Sequence, residues 1–588
     1  MRGAWRVAVA AALIGVAPLG AVAQVPGGRA ATPDPLRNAL ELERQGNFTD
    51  AVVAYQRILA GSPADESALL GLERSLAPLT LQAEVIPYVR AALAVRRSPA
   101  IYSVALRGWN AAGEPDSMRA VAAAWAAIEG DHTIPYRTWG DLLFQRRDFA
   151  GARRAYLAGR AAAGDPDALS AELAQVAQFE GDFGTSAAEW VRALRLSPGY
   201  RAAAIASLAP ARDAARTDVL RALGAGAGGE PAVVAAILWA QWGEPRRGAA
   251  LLQQALADTA IATSTGDDYL LAFIGQVRAL GTREARLALA ASLELLGSHQ
   301  GGAAAARTRL ESARAYADGG DPAAARRMLA LVAADHSAPA GLADQAARTL
   351  LEVQVASGEL DAAERTLTDA ATGMAEEDRA AVRRRIAEGW IRQGMLARAD
   401  QLAASDSSVD GLALAGRLAA YRGDLKTARA LLQEAGPYAG TREEATARTA
   451  LLALLQPIEA DSLPALGAGL LAAVRGDTGA AIVQLDAAAS GLPPAKGGAA
   501  VGLLAAEYAR AHGATADAER RLRAVAATAV AATAPAAELD LAELLVALGR
   551  RPEATAQLEH LILTYPQSAF IPQARRLLDQ LRAREITT

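Results

Sequence analysis

Apolar residues recur at helical spacing along almost the whole chain, and short polar breaks interrupt them at near-regular intervals. Residues 36–44 carry apolar side chains three and four apart, Gly46 interrupts, and residues 50–59 resume the pattern. This predicts two amphipathic helices joined by a tight turn. Equivalent breaks fall at Thr80, Gly113, Arg147 and Gly181, in steps of 34, 33, 34 and 34 residues. A fixed period of this size predicts a stacked array, because no single hairpin can bury its own apolar face.

Each position of the first hairpin has a physical task. Gly46 suits the residue after a helix end, where a positive φ is often needed and glycine adopts it at little cost. Ala51, five places on, lets the two helices approach closely, and Tyr55 fills the space further along. Pro63 ends the second helix by disfavouring helical geometry at Ser62. The order returns at Gly181, Trp190 and Pro198, and breaks follow at Gly243, Gly281, Gly320, Gly358, Gly394, Gly423, Gly476, Gly513 and Gly549. Ala325, Ala363, Ala399, Ala428, Ala481, Ala518 and Ala554 are the small partners. Leucine takes the aromatic place at Leu329, Leu367, Leu432, Leu485 and Leu522.

This order of glycine, aromatic, small residue, aromatic and proline resembles the tetratricopeptide repeat, over most of residues 36–581. The resemblance implies an all-α fold: a right-handed superhelical solenoid of antiparallel helix pairs. The second half is less regular, with steps of 38, 36, 29, 53, 37 and 36 from Gly320 to Gly549. The step of 53 predicts an extra or elongated helix between Gly436 and Pro464. The run Gly224-Ala-Gly-Ala-Gly-Gly229 predicts a joint over residues 224–231, between an array at 36–223 and another at 232–588. Polar residues on the last helix, Gln573 to Arg582, fit a capping element that solvates the end of the array.

Composition then narrows the setting. Of 588 residues, 52% are hydrophobic but only 5% aromatic, so small side chains must do much of the packing. The formal charge of -4 comes from 60 basic against 64 acidic residues, without the basic excess that phosphate backbones attract, so nucleic acid is not an expected partner. Arg2 and Arg6, the apolar run at residues 7–17 and Ala21-Val22-Ala23 read as a signal peptide over 1–23, cleaved after Ala23. A Pro/Gly-rich leader covers 24–35. The mature chain is expected in the periplasm or secreted, with no membrane span. It has no cysteine, so no disulfide is expected to support it.

Motifs for chemistry are weak. Gly224, Gly226 and Gly229 match a dinucleotide fingerprint, but a helix rather than a strand is expected before them. Asp406 to Gly411 resembles the opening of a calcium loop, yet Arg417 stands where the closing glutamate should be, so Asp410 is expected to cap a helix instead. His132, His299, His336, His512 and His560 are scattered, without a helical ligand spacing. Arg422-Gly423-Asp424 and Arg475-Gly476-Asp477 are read as repeat turns. No catalytic residue, cofactor or metal is expected.

In the resembled family the first helix of each pair faces the ligand. That implies a partner-binding groove of Arg74, Arg107, Asn110, Arg137, Asp141, Phe144, Gln175 and Gln178 in the front array. In the rear array it implies Arg314, Arg348, Glu352, Arg384, Glu388 and Arg417. Guanidinium, carboxylate and amide groups together suit an extended peptide. The opposing expectation is a solvated helix face with i,i+4 pairs such as Arg384 with Glu388. The expected function is an exported, non-catalytic scaffold binding protein or peptide partners in the cell envelope. The alternative is part of a polysaccharide- or peptidoglycan-processing system, as an enzyme or a carbohydrate binder using Trp109, Trp125, Trp139 and Trp190.

Overall fold

The computed structural model describes residues 34–225, 229–257, 261–370, 374–436 and 441–585. The expected signal, the leader up to residue 33 and residues 226–228 of the glycine run lie outside these. The described residues form α-helices with short 3-10 turns; the one extended pairing among them is an isolated bridge between Asp424 and Ser462. They group into two compact units, divided between Leu238 and Trp239.

In the first unit the helices Pro35–Arg44 and Phe48–Gly61 make the opening hairpin. Glu66–Leu76, Pro99–Ala112, Thr133–Gln145 and Ser170–Glu180 are the next first helices. Each touches its own return helix or turn and also a helix of a neighbouring pair. The breaks follow one design. At the first, Gly46 has φ +79°; its N–H donates to the Glu43 carbonyl at 3.0 Å and the Asn47 N–H to that of Leu42 at 3.0 Å. This pair of bonds closes a helix end through a left-handed residue. Thr80 and Arg147 occupy the same conformation without being glycine, at φ 58° and 62°. Their place in the period therefore governs the backbone even where the residue type does not favour it.

An aspartate directly after the break then starts the return helix. Asp182 accepts the Thr185 N–H at 2.9 Å, and Asp424 and Asp477 cap their helices in the same way. Gly-Asp at 423–424 and 476–477 is thus one helix stop followed by one helix start. The pair Arg201–Leu208 and Asp213–Ala225 has no left-handed residue between its helices, which is why no glycine break marks it in the sequence.

Packing explains the small residues. Ala51, Ala325, Ala363, Ala399, Ala428, Ala481, Ala518 and Ala554 are all fully buried. Glycines inside the first helices receive a large residue of an adjacent return helix: a Cβ on Gly71 would lie 2.2 Å from Tyr55 Cζ of the preceding pair, and one on Gly140 2.2 Å from Tyr156 Cε1 of its own pair. In the second unit leucine fills this place, with Gly416 against Leu432 and Gly469 against Leu485.

The second unit contains the extra helix expected from the long step. Arg442–Leu455 is inserted between Leu425–Ala435 and Pro464–Val474. Thr441 and Glu444 form a capping box at its start. After it, Arg429 donates to the Ile458 carbonyl at 2.7 Å and the Leu425 N–H to that of Asp461 at 2.9 Å, tying the exit to the array.

Two local expectations are corrected. Helix Val409–Arg422 is capped by Ser408, whose Oγ accepts the Gly411 N–H at 3.1 Å, and Asp410 lies in its first turn. The i,i+4 pair of Arg384 with Glu388 does not form, because Asp406 and Arg417, further along the chain, engage the two side chains instead.

Candidate functional site

In the first unit the expected groove residues sit on neighbouring first helices, and most are already engaged. Arg74 grips Glu43 on the preceding pair, Nε to Oε1 at 2.7 Å and Nη2 to Oε2 at 3.0 Å, while the Tyr55 hydroxyl donates to Glu43 at 2.7 Å. The Arg74 bond, helped by Tyr55, holds the Glu43 carboxyl below its ordinary range against the opposing effect of burial. Burial, then the bond to Glu43, pushes the Tyr55 phenol up. Arg107 repeats the grip one pair on, holding Glu73 through Nε and through Nη2 at 2.6 Å. Arg137 reaches forward instead, to Glu172 at 2.7 Å.

A cleft of about 700 Å³ lies on this face, with Leu70 and Leu142 as apolar lining and Arg74, Arg107, Asn110 and Arg146 around it. Arg146, at the end of Thr133–Gln145, donates to the backbone and side-chain carbonyls of Asn110 and meets no carboxylate among the described residues. The cleft therefore carries one uncompensated guanidinium beside apolar surface. Sequence reasoning omitted Arg146, because it stands at the helix end next to the break at Arg147 rather than on the expected stripe.

The other front residues are more dispersed in role. Asp141 accepts the Tyr156 hydroxyl at 2.7 Å, and Gln178 accepts that of Ser207 at 2.7 Å. Phe144 joins Phe149 and Phe179, with ring centroids 5.2 to 5.5 Å apart. Gln175 is exposed. Trp125, Trp139 and Trp190 are 4%, 6% and 1% exposed, so none presents an open face on which a sugar could stack. Trp109 lies beneath the Arg90 guanidinium at 4.8 Å.

In the second unit Arg384, Glu388 and Arg417 converge on a cavity of about 660 Å³. Arg417 donates to Glu388 at 2.8 Å, and Arg384 to Asp406 at 2.5 Å with Asp410 at 3.6 Å. Burial would raise the Asp406 carboxyl, but bonds from Ser408 and Arg384 outweigh it and leave it below its ordinary range. The inserted helix also lines it, contributing Arg448, 6% exposed, and Leu451. Tyr421 and Tyr508 line it too, and burial raises both phenols. The rise at Tyr421 is opposed by Arg417 beside it, and that at Tyr508 is reinforced by the Glu507 charge. Arg448, Tyr421 and Tyr508 were not among the expected site residues. The step of 53 residues was the signal that pointed to this place, since it marked an element the repeat does not require.

The remaining rear residues stay apart from the cavity or at its edge. Arg348 is 3.6 Å from Asp378, Glu352 is 3.9 Å from Arg385, and Arg314 is exposed. Among the described residues no group of three or more histidine and acidic side chains is placed to hold a metal ion, and no helix is long and apolar enough to cross a membrane.

Helix hairpins, left-handed breaks and small packing partners together define a tetratricopeptide-like helical repeat. No protein-family model matches the chain, and no curated protein matches it. Among solved structures it is similar to a chain in the crystal structure of the APC/C hetero-tetramer Cut9-Hcn1, at 12% identity over 94% of this chain and 97% of that one, with a TM-score of 0.21. It is also similar to a chain in the structure of Naa15/Naa10 bound to HypK-THB, at 13% identity over 93% and 96%, with a TM-score of 0.22. Likenesses this distant say nothing about what the present chain binds.

Proposed function

We propose that the chain is exported and acts as a non-catalytic scaffold, holding a protein partner in the cell envelope through the first-helix face of its first unit. The observation that supports this most is the cleft beside Arg146. It combines apolar surface at Leu70 and Leu142 with a guanidinium that has no carboxylate partner among the described residues. Arg74 and Arg107 border the same cleft, each oriented by its grip on the preceding pair. A guanidinium has five N–H donors, so those grips leave further donors for a partner's carbonyls and carboxylates. The export half of the reading comes from residues 1–23.

The test has two parts. Fractionation of cells producing the chain, with N-terminal sequencing, should find a mature protein beginning at Gln24 outside the cytoplasm; an uncleaved cytoplasmic chain would refute export. Leu142→Asp combined with Arg146→Glu should then abolish co-purification of the partner that the wild-type chain retains. A folded double variant that keeps this partner would refute the cleft.

A further inference from the structure

The inserted helix Arg442–Leu455 is uneven along its length. From Arg442 to Ala450 it holds no large apolar side chain, and it then ends in Leu451-Leu452-Ala453-Leu454-Leu455. The leucines pack on the core of the second unit, Leu455 fully buried and Leu451, Leu452 and Leu454 partly so. Just beyond them Arg429 donates to the Ile458 carbonyl at 2.7 Å, and the Leu425 and Lys426 N–H groups donate to that of Asp461 at 2.9 and 3.1 Å. The apolar burial that docks this helix, and the bonds that fix its exit, are therefore concentrated at one end.

The other end is built to stay helical without close neighbours. Thr441 and Glu444 form a capping box, Glu443 and Glu444 complement the dipole of the first turn, and Ala445, Ala447 and Ala450 favour the helix. The anchored leucine turns supply the nucleus that an isolated helix this short would lack. Before the leucines its one buried side chain is Arg448, 6% exposed. With Ala447 it lines the cavity shared with Arg384, Glu388, Tyr421 and Tyr508, all from first helices. Burying a guanidinium costs hydration that is regained when it returns to water. A segment held mainly by Arg448 consequently detaches more readily than one held by leucines.

We infer that Arg442–Leu455 is a hinged strap, which pivots on its leucine-rich end and is latched against the first helices of the second unit by Arg448. Raising it leaves Leu455 and the Arg429 bonds in place, withdraws Ala447 and Arg448 from the cavity and uncovers Tyr421 and Tyr508. The position of the strap thus sets how open this face of the second unit is. The device does not depend on the cleft of the first unit or on the function proposed for it.

The chain has no cysteine, so two introduced ones can carry spin labels without background. One pair joins Ala430, exposed on Leu425–Ala435, to Thr446, exposed on the strap before the leucines; the other joins Ala430 to Gln456, exposed just past the pivot. Pulsed electron resonance on the full chain should give a broad distance distribution for Ala430–Thr446 and a narrow one for Ala430–Gln456. Arg448→Gln should move most of the Thr446 population to a second distance, with the Gln456 distance and the melting temperature unchanged. Equal widths for the two pairs without Arg448→Gln, a Thr446 distribution that a folded Arg448→Gln chain leaves unaltered, or a joint shift of both pairs would each overturn the assignment.

Discussion

Arg107 holds both carboxylate oxygens of Glu73, reaching from the third helix pair of the first unit back to the second. Arg74 and Glu43 make the same junction one pair earlier. These arginines consequently have two roles on one face: they join consecutive repeats, and they border the proposed partner cleft.

The joining role is measurable. Arg107 is 37% and Glu73 14% exposed, which places the pair between a surface bridge and a buried one. A double-mutant cycle on Arg107→Ala and Glu73→Ala, followed by urea unfolding, should give a coupling energy of about 0.5–1 kcal/mol that shrinks in high salt. Coupling indistinguishable from zero would mean that the junction orients Arg107 without stabilising the array.

Acid should weaken the neighbouring junction in a defined window. The folded-state pKa of Glu43 lies below its ordinary 4.5, so its contribution is fully present above that value and is lost as pH falls through the lowered one. The stability difference between the wild type and Glu43→Gln should therefore be constant near neutrality and narrow progressively below about pH 4.5. A difference that stays constant down to about pH 3 would contradict the assignment.

The backbone at the two breaks without glycine is strained. Thr80 and Arg147 have φ of 58° and 62°, in the region that disfavours residues bearing a Cβ. Arg147→Gly should raise stability by about 0.5–1 kcal/mol, after allowance for the greater freedom of glycine in the unfolded chain. Thermal and urea unfolding of this variant, with Gly113→Ala as the opposite change, would show it; a destabilised Arg147→Gly chain would count against it.

Close packing at Gly71 makes the opposite demand. A methyl group there would fall 2.2 Å from the ring of the fully buried Tyr55. Gly71→Ala should cost about 1–3 kcal/mol, and less in a Tyr55→Leu background, where a smaller side chain faces the added methyl group. Equal costs in the two backgrounds would show that the ring is not the obstacle.

The hairpins were legible because their requirements are local. A left-handed break, a small residue five places later and a large residue beyond it leave a trace at fixed spacing, strong enough to locate the breaks even at Thr80 and Arg147. The inserted helix announced itself through the step of 53, though only as a missing register. Partner choice left no such trace. Arg384 pairs with Asp406 rather than Glu388, and Arg417 takes Glu388, because the stacking of pairs decides which groups meet. The same holds for Arg448, Tyr421 and Tyr508, which share one cavity although the sequence places them on three different helices.

The most direct test of the scaffold reading is site-specific photo-crosslinking in living cells. A photoreactive residue replaces Leu142 or Gln175 on the first-helix face, or Leu157, which is 44% exposed on the return helix Phe149–Ala163. Both first-helix positions should trap the same defined envelope protein, and Leu157 should not. The same protein trapped equally from Leu157, or no protein trapped from either first-helix position, would overturn the scaffold reading.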